Sequence, residues 1–312
     1  MTRPEFTDRV RHTCGKQLPI PGAGHTAQRH LCLLEVARED LSLARIVEAH
    51  FDAVAILADA NREPVYDALY GVWASEIPGK SLTLSETSNG FLINGAKSFC
   101  SGAGLIDHAL VTVAAPDPFL IDIDLHTHAD TLSIDTSAWK PAAFAQTNTA
   151  TVTFHDTPVS RDAILGQRGW YLTRPGFWHG AIGPASCWAG GALGLVDYAR
   201  KQSRSDPHTL AHLGALEADA YALCSVLTTS GNEIDAAPND IRAAHIRALT
   251  VRHLVEQHAT SILTHLGRAY GPHPLVFDEP ISQRTQELTI YLRQSHAERD
   301  LAALGELVRL SA

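Results

Sequence analysis

An amine, an aromatic ring and a hydroxyl follow one another at intervals of two residues within the stretch 89–104. This stretch reads Asn-Gly-Phe-Leu-Ile-Asn-Gly-Ala-Lys-Ser-Phe-Cys-Ser-Gly-Ala-Gly. Asn-Gly pairs favour hairpin turns, because both central residues of such turns need a positive φ. The pattern predicts a turn, a short strand, a second Asn-Gly turn and a strand with Lys97, Phe99 and Ser101 on one face. A ring beside a hydroxyl could line a planar ligand, although an ordinary meander hairpin gives the same pattern.

A second stretch with residue types suited to chemistry is 122–130, Asp-Ile-Asp-Leu-His-Thr-His-Ala-Asp. It resembles the opening signature of amidohydrolase-like and polymerase-histidinol-phosphatase-like metal hydrolases. On an extended strand, His126 and His128 would share a face and could bind one divalent metal that activates water. Only His155 and Asp156 follow on a predicted strand as further ligands. An edge strand with one wet face shows the same alternation, so both interpretations stay open.

The bulk composition excludes several function classes. Lys and Arg number 25 against 34 Asp and Glu, and the net charge of −9 argues against binding nucleic acid or anionic lipid. The five cysteines contain no CxxC pair, which indicates reduced thiols rather than a disulfide framework. The beginning of the chain shows no apolar leader, and the uncharged stretch 180–196 is short and rich in small residues. We therefore expect a cytoplasmic protein that does not insert into membranes.

Three zones of hydrophobic patterning divide the chain. Residues 26–68 show helical periodicity and predict two helices that are broken near Asp40, a good N-cap residue. From 72 to 166 the pattern is one of short strands, predicted at 81–87, 90–96, 108–114, 119–125, 131–134 and 149–155. Helices are predicted at 178–202, 207–230, 239–266 and 280–308, with starts at Asp206-Pro207 and at Asn239 or Asp240. The Gly190-Gly191 pair inside the first of these indicates close helix packing.

The predicted fold class is α+β. It comprises an N-terminal helical domain (1–70), a small central β-barrel or sheet domain (71–169) and a C-terminal four-helix bundle (170–312). Three segments in this order, 73–78, 92–103 and 150–169, resemble the acyl-CoA dehydrogenase superfamily of flavoproteins. The last contains Val-Thr-Phe-His-Asp-Thr-Pro-Val at 152–159 and then Ile-Leu-Gly at 164–166. These are similar to the family's "F-D-V-P-V" strand and the "L-G-x-x-G" that follows it. The resemblance runs from about residue 18 to the end of the chain.

The resemblance implies FAD bound between the β domain and the bundle, in a site that a second subunit completes, hence a homodimer or homotetramer. It places the first flavin-contacting strand at Trp73, Ala74 and Ser75. A second segment at Phe99, Cys100 and Ser101 would flank the isoalloxazine ring. There an aromatic side chain shields the ring and a hydroxyl bonds near N5. The implied activity is α,β-dehydrogenation of an acyl thioester or a related small substrate, with the electron acceptor left open.

The sequence departs from the family where the catalytic base is expected. The family's glutamate in a "Y-E-G-T"-like segment aligns nearest Arg293, and its alternative position aligns close to His253. A base could instead be His253, His296 or Glu298, since imidazole titrates near neutral pH. The family's glycine-rich "Q-x-F-G-G-x-G" turn, which meets the FAD pyrophosphate, is reduced to Thr-His-Leu-Gly-Arg-Ala-Tyr-Gly at 264–271. The N-terminal helical domain is also about half the family's usual length.

Three functions follow from the resemblance. The first is a divergent flavin-dependent dehydrogenase with one of the bases named above. The second is a flavin-dependent monooxygenase of the same fold, in which the missing glutamate is expected. The third is a non-catalytic or cofactor-free relative, in which Arg293, His296 and Glu298 are a solvated helix face. The metal hydrolase with His126 and His128 is an alternative outside the family.

Overall fold

A computed structural model describes residues 2–77, 81–115 and 117–309. The elements are α1 Arg3–Cys14, α2 Thr26–Glu39, α3 Leu41–Asp59, β1 Tyr70–Trp73, β2 Thr83–Thr87, β3 Gly90–Cys100, β4 His108–Val113, β5 Phe119–Asp124, β6 Leu132–Asp135, β7 Ala150–Val159, β8 Ile164–Leu165, α4 Trp170–Thr173, α5 Pro175–Gly180, α6 Ile182–Arg200, α7 Pro207–Ala236, α8 Ile241–Tyr270, α9 His273–Phe277, α10 Glu279–Tyr291 and α11 Glu298–Arg309. The mixture of helices and two small sheets confirms the predicted α+β class.

The chain folds into two compact units. One comprises Met1–Gln17 and Arg45–Phe177, and the other comprises Leu18–Ala44 and Trp178–Ala312. The predicted boundaries at 70 and 169 differ from this division, because the N-terminal helices form no domain of their own. Helix α1 and most of α3 belong to the first unit, whereas α2 belongs to the second.

The first unit holds both four-stranded sheets, with strand orders β1-β4-β5-β8 and β2-β3-β7-β6. Strand β1 pairs parallel to β4, and the other pairings are antiparallel. The apolar side of α3 covers the first sheet in a buried cluster formed by Ala53, Ile56, Leu57, Tyr70, Leu110, Leu120, Leu165 and Tyr171. This packing anchors β1, whose end carries the first candidate site segment.

The predicted hairpin is correct at one Asn-Gly pair and wrong at the other. Asn89-Gly90 lies at the turn between β2 and β3, where Thr87 pairs with Gly90. At Asn94 the strand does not turn. It continues through a register shift between Ile93 and Gly95, with Gly95 at φ 116°. The Asn94 side chain stabilises this bulge, because its Nδ2 donates to the Asp156 carboxylate at 2.6 Å and its Oδ1 accepts from the Asp156 amide at 2.8 Å.

In the second unit, α6, α7, α8 and α10 form the predicted bundle, and α2 packs against α6 and α7. A Cβ at Gly190 would lie only 2.0 Å from the Leu34 carbonyl oxygen of α2, so glycine lets the two backbones approach closely. Helix α7 begins at Asp206-Pro207 as predicted, and Asp240 is the N-cap of α8. By length and composition alone α7 could cross a membrane, although core helices of soluble proteins meet the same criteria.

The fourth predicted bundle helix, 280–308, is interrupted. Helix α10 ends at Tyr291, a 3-10 turn covers Leu292–Gln294, and α11 begins at Glu298. Ala297 has a left-handed backbone with φ 47°, which a continuous α-helix does not allow. Arg293, His296 and Glu298, three of the four candidate catalytic residues, flank this break.

Candidate functional site

The two predicted flavin-contacting segments lie side by side in the first unit. Trp73 ends β1, and its indole Nε1 donates to the Ser101 carbonyl oxygen at 3.0 Å. The Trp73 ring is 2% exposed, so it supports the site from beneath. Ala74 is half-buried and Ser75 is exposed. The resemblance therefore identified two segments, distant in sequence and belonging to different sheets, that the bond from Trp73 to Ser101 joins.

Phe99 combines a strained backbone with an open ring. Its φ is 60°, in the left-handed region that aromatic residues rarely adopt, and its side chain is 55% exposed. The register of β3 against β7 shifts between Lys97 and Cys100, so the simple alternation of faces ends there. The expectation that Lys97, Phe99 and Ser101 share one face is therefore wrong, since Lys97 is only 1% exposed. Strain of this kind clusters at functional sites.

Ser101 heads a row of three hydroxyls that ends in the interior. Its Oγ lies 3.0 Å from Thr149 Oγ1, which lies 2.9 Å from Thr147 Oγ1. Thr147 Oγ1 donates to the Phe144 carbonyl oxygen at 2.8 Å. Thr147 is fully buried, whereas Ser101 retains 9% exposure. The Gly102 amide donates to the Thr147 carbonyl oxygen at 2.8 Å, which fixes the two segments against each other.

An ion pair whose cation is buried ties these segments to β4 of the first sheet. Lys97 Nζ donates to the carboxylate of Glu76, the residue after Ser75, and to the carbonyl oxygen and hydroxyl of Thr112 at 2.9 and 2.7 Å. Thr112 Oγ1 in turn donates to Glu76 at 2.9 Å. Burial lowers the pKa of Lys97, and the bond from Glu76 opposes that shift. All three hydrogens of the Lys97 ammonium therefore have acceptors. Lys97 lies two residues before Phe99, so this anchoring holds the strand close to the candidate site.

The side chain of Cys100 is turned to the interior. It is fully buried, and its Sγ donates to the Lys97 carbonyl oxygen at 3.3 Å. Burial raises the pKa of this thiol to about 12, so it stays neutral and unreactive. Any contact of Cys100 with a ligand would therefore come from its backbone.

The arrangement fits a flavin ring. An exposed aromatic side chain offers a face for a flat conjugated ring system, and the Ser101 hydroxyl offers one hydrogen-bonding atom for its polar edge. Phe99 and Ser101 would hold the ring, while Trp73 and the Lys97–Glu76 pair hold Phe99 and Ser101 in place. The Thr147, Thr149 and Glu76 partners escaped the sequence analysis. Only Thr149, the polar first residue of the predicted strand 149–155, could have pointed to one of them.

In the second unit the two predicted base positions are neighbours. Arg293 follows α10, and its Nη2 donates to Glu256 Oε1 of α8 at 2.9 Å. Glu256 lies three residues after His253, hence on the same side of the helix. Glu256 is 12% exposed, and it also accepts from the Thr260 hydroxyl at 3.1 Å. A carboxylate that sequence reasoning missed therefore occupies this region, with a guanidinium bound to it.

His296 and Glu298 take no part in the ion pair between Arg293 and Glu256 and have other surroundings. His296 Nδ1 is 3.2 Å from Asp300 Oδ1, and its side chain is 55% exposed. Glu298 is the exposed first residue of α11. Exposed groups of this kind lack the desolvation and positioning that tune a base.

The predicted metal site at His126 and His128 is not formed. Strand β5 ends at Asp124, whose carboxylate accepts from the amides of His126 and Thr127 at 2.9 and 3.0 Å and thereby closes a turn. The two histidines thus do not share a strand face, and His126 Nε2 lies 3.0 Å from Asp107 Oδ1 instead. Within residues 2–77, 81–115 and 117–309, no group of three or more His, Cys, Asp and Glu side chains could hold a metal ion.

This chain is similar to known proteins in its three-dimensional structure. No protein-family profile and no curated protein matches the sequence. KijD3, solved with FMN and dTDP-3-amino-2,3,6-trideoxy-4-keto-3-methyl-D-glucose, superposes with a TM-score of 0.78 at 16% identity, over 99% of this chain and 92% of that one. TdsC from Paenibacillus sp. A11-2, solved with FMN and indole, gives 0.80 at 17% identity, over 99% and 95%.

A nitrososynthase from Micromonospora carbonacea var. africana superposes with a TM-score of 0.76 at 17% identity, over 92% of this chain and 83% of that one. At such identities the likeness establishes the fold. It spans the sheets and the bundle together. The chain has the acyl-CoA dehydrogenase fold, as the three sequence segments predicted.

Proposed function

We propose that this protein is a flavin-dependent monooxygenase that binds FMN and oxygenates a small organic molecule. The observation that carries the proposal is the exposed, left-handed Phe99 beside the Ser101 hydroxyl, at the end of β3. KijD3 and TdsC share the fold and bind FMN, and TdsC is a dibenzothiophene monooxygenase. These observations together support a flavin enzyme.

The ion pair between Arg293 and Glu256 favours oxygenation over acyl thioester dehydrogenation. Dehydrogenation needs a carboxylate or similar base free to take a proton from carbon. At the position implied for it stands Arg293, and the neighbouring Glu256 is engaged by this guanidinium and by Thr260. Oxygenation needs no such base, because a bound reduced flavin supplies two electrons to dioxygen, one atom of which goes to the substrate and the other to water.

The end of α8 favours FMN over the FAD that the family resemblance implies. The family places a glycine-rich turn at 264–271 to meet the pyrophosphate. In this chain α8 continues as a regular helix to Tyr270, and Gly271 ends it with φ 64°. A helix interior has its amides in intrahelical bonds and leaves none for a diphosphate. FMN, which has a single phosphate, makes no such demand.

A homo-oligomer is part of the proposal. Helix α7 is apolar enough to cross a membrane, yet only 22% of its most apolar window is buried, and Tyr221 on this helix is 78% exposed. A second copy of the chain would cover this surface, in line with the shared site that the resemblance implies. Light scattering on purified protein should give at least twice the monomer mass of 33.7 kDa.

Flavin binding is tested by titrating the purified protein with FMN and FAD and following flavin fluorescence. Phe99→Ala should weaken FMN binding roughly tenfold or more, because the ring loses its aromatic contact. Tyr66→Ala is the matched control: this ring lies in the same unit and is 97% exposed, and its loss should leave the affinity unchanged. If neither flavin binds, the proposal is wrong.

The reaction type is tested with the FMN-bound protein. We expect the reduced enzyme to consume oxygen and to transfer one oxygen atom to an aromatic heterocycle or an amino sugar nucleotide, the ligand types seen in TdsC and KijD3. Isotopically labelled dioxygen should label the product. Anaerobic bleaching of the oxidised flavin by acyl-CoA compounds would instead identify a dehydrogenase and overturn the assignment.

A further inference from the structure

The hydrogen bonds of Thr147, Thr149 and Ser101 have a defined direction. Each hydroxyl has one hydrogen to donate. Thr147 donates its hydrogen to the Phe144 carbonyl oxygen at 2.8 Å, and a carbonyl oxygen only accepts. The bond of 2.9 Å between Thr147 and Thr149 must therefore be donated by Thr149. With that hydrogen used, the bond of 3.0 Å between Thr149 and Ser101 must be donated by Ser101.

Ser101 is consequently left with lone pairs and no free hydrogen. Burial strengthens these hydrogen bonds, since Thr147 and Thr149 are only 0% and 7% exposed to solvent. The Ser101 backbone is fixed as well, because Trp73 Nε1 donates to its carbonyl oxygen at 3.0 Å. Toward any ligand, this hydroxyl is an acceptor.

We infer that the Thr147–Thr149–Ser101 row makes the site selective for reduced flavin, with Thr149 and Thr147 as positioning residues. The inference rests on the proposed function. N5 of an oxidised flavin carries only a lone pair, whereas N5 of a reduced flavin carries a hydrogen. An acceptor-only Ser101 hydroxyl, which the family resemblance places near N5, would accept a hydrogen bond from the second and would repel the first. The selectivity suits an enzyme that must hold its flavin in the state that reacts with oxygen.

The test is the ratio of the dissociation constants for oxidised and reduced FMN, measured anaerobically by fluorescence and calorimetry on the whole protein. The wild type should bind reduced FMN roughly tenfold more tightly, the worth of one hydrogen bond. The midpoint potential of bound FMN should accordingly lie about 30 mV above that of free FMN. Ser101→Ala should bring the ratio close to one.

Two variants that keep Ser101 test whether the direction of its hydrogen bond matters, or only the structural support that Thr147 and Thr149 give it. Thr149→Val removes the acceptor of the Ser101 hydrogen, so Ser101 can donate to oxidised N5 and the ratio should fall about tenfold. Thr147→Val should lower the ratio in the same direction, because Thr149 is then free to donate to Ser101. Thr149→Ser and Thr147→Ser keep the hydroxyls and should keep the wild-type ratio.

The outcomes distinguish this inference from the proposed function. If Thr149→Val and Thr147→Val weaken both forms of FMN by the same factor, the row is only structural and the inference fails, while the flavin function stands. A wild-type ratio near one also overturns it. If the wild type binds neither form, the proposed function fails and the inference with it.

Discussion

The Lys97–Glu76 pair, in which only the cation is buried, gives the most specific prediction about what holds the site together. Glu76→Gln keeps the shape of the side chain and removes its charge. It leaves the Lys97 ammonium, 1% exposed, with only neutral oxygens as partners, one from the new amide and two from Thr112. Lys97→Met removes the cation and leaves the Glu76 carboxylate, 33% exposed and still able to reach water.

Breaking a buried ion pair by removing one partner typically costs about 3–5 kcal/mol. Both variants should fall near the lower limit, about 3 kcal/mol of unfolding free energy at neutral pH. In Glu76→Gln the amide oxygen still accepts from Lys97, and in Lys97→Met the carboxylate regains water. The exposed Arg161–Glu86 pair, with side chains 57% and 65% exposed, is the matched control. Glu86→Gln should cost less than about 1 kcal/mol.

The pH dependence identifies which charge is left uncompensated. Burial already lowers the folded-state pKa of Lys97 below 10.5, and loss of Glu76 lowers it further. The unfolded chain then binds the proton more tightly, so stability rises with pH between the lowered folded pKa and 10.5. In denaturant titrations, the deficit of Glu76→Gln relative to wild type should shrink as pH rises from the folded-state Lys97 pKa of the variant to that of the wild type. The deficit of Lys97→Met should show no such recovery, and equal pH responses would refute this account.

Three further predictions concern the frame around the site. Gly190→Ala should destabilise the protein by about 3 kcal/mol or more, since its methyl would meet the Leu34 carbonyl oxygen at 2.0 Å. Gly214→Ala, with nothing within 4 Å, should stabilise it by up to about 1 kcal/mol, and thermal unfolding measures both. The bond to Asp122 raises the pKa of His108, so the stability from this pair is complete below 6.5 and lost as pH rises through the raised folded value; Asp122→Asn should lower the His108 pKa in an NMR titration. His126→Ala should leave the metal content of the purified protein unchanged by mass spectrometry, and loss of a stoichiometric metal would restore the hydrolase hypothesis.

Features with local causes were predictable from sequence. Asp206 and Asp240 cap helices because their carboxylates reach backbone amides three residues ahead, at 3.0 and 2.9 Å. The Asn89-Gly90 turn needs only a permissive backbone. The strands between 83 and 159 follow from residue types bounded by turn formers. In each case the physical reason lies within a few residues.

Features with distant causes were not predictable in this way. The Asn94-Gly95 pair has turn chemistry, yet it forms a bulge because Asp156 of β7, 62 residues away, bonds the Asn94 side chain. Lys97 alternates with Phe99 in sequence but is buried, because Glu76 and Thr112 supply its partners. The spacing of His126 and His128 suggested a metal site, but Asp124 closes a turn that removes both from the strand.

The two units, each taken by itself, differ in how far they follow the family pattern. The first unit has an exposed aromatic ring on a left-handed backbone, near the Lys97–Glu76 ion pair and the row of hydroxyls that begins at Ser101. In the second unit, the position implied for a carboxylate base holds Arg293, bound to Glu256. Ring binding demands shape and one hydrogen-bonding atom, whereas proton abstraction demands a free base. A chain that keeps the first and replaces the second supports our proposal of a flavin-dependent monooxygenase over that of a dehydrogenase.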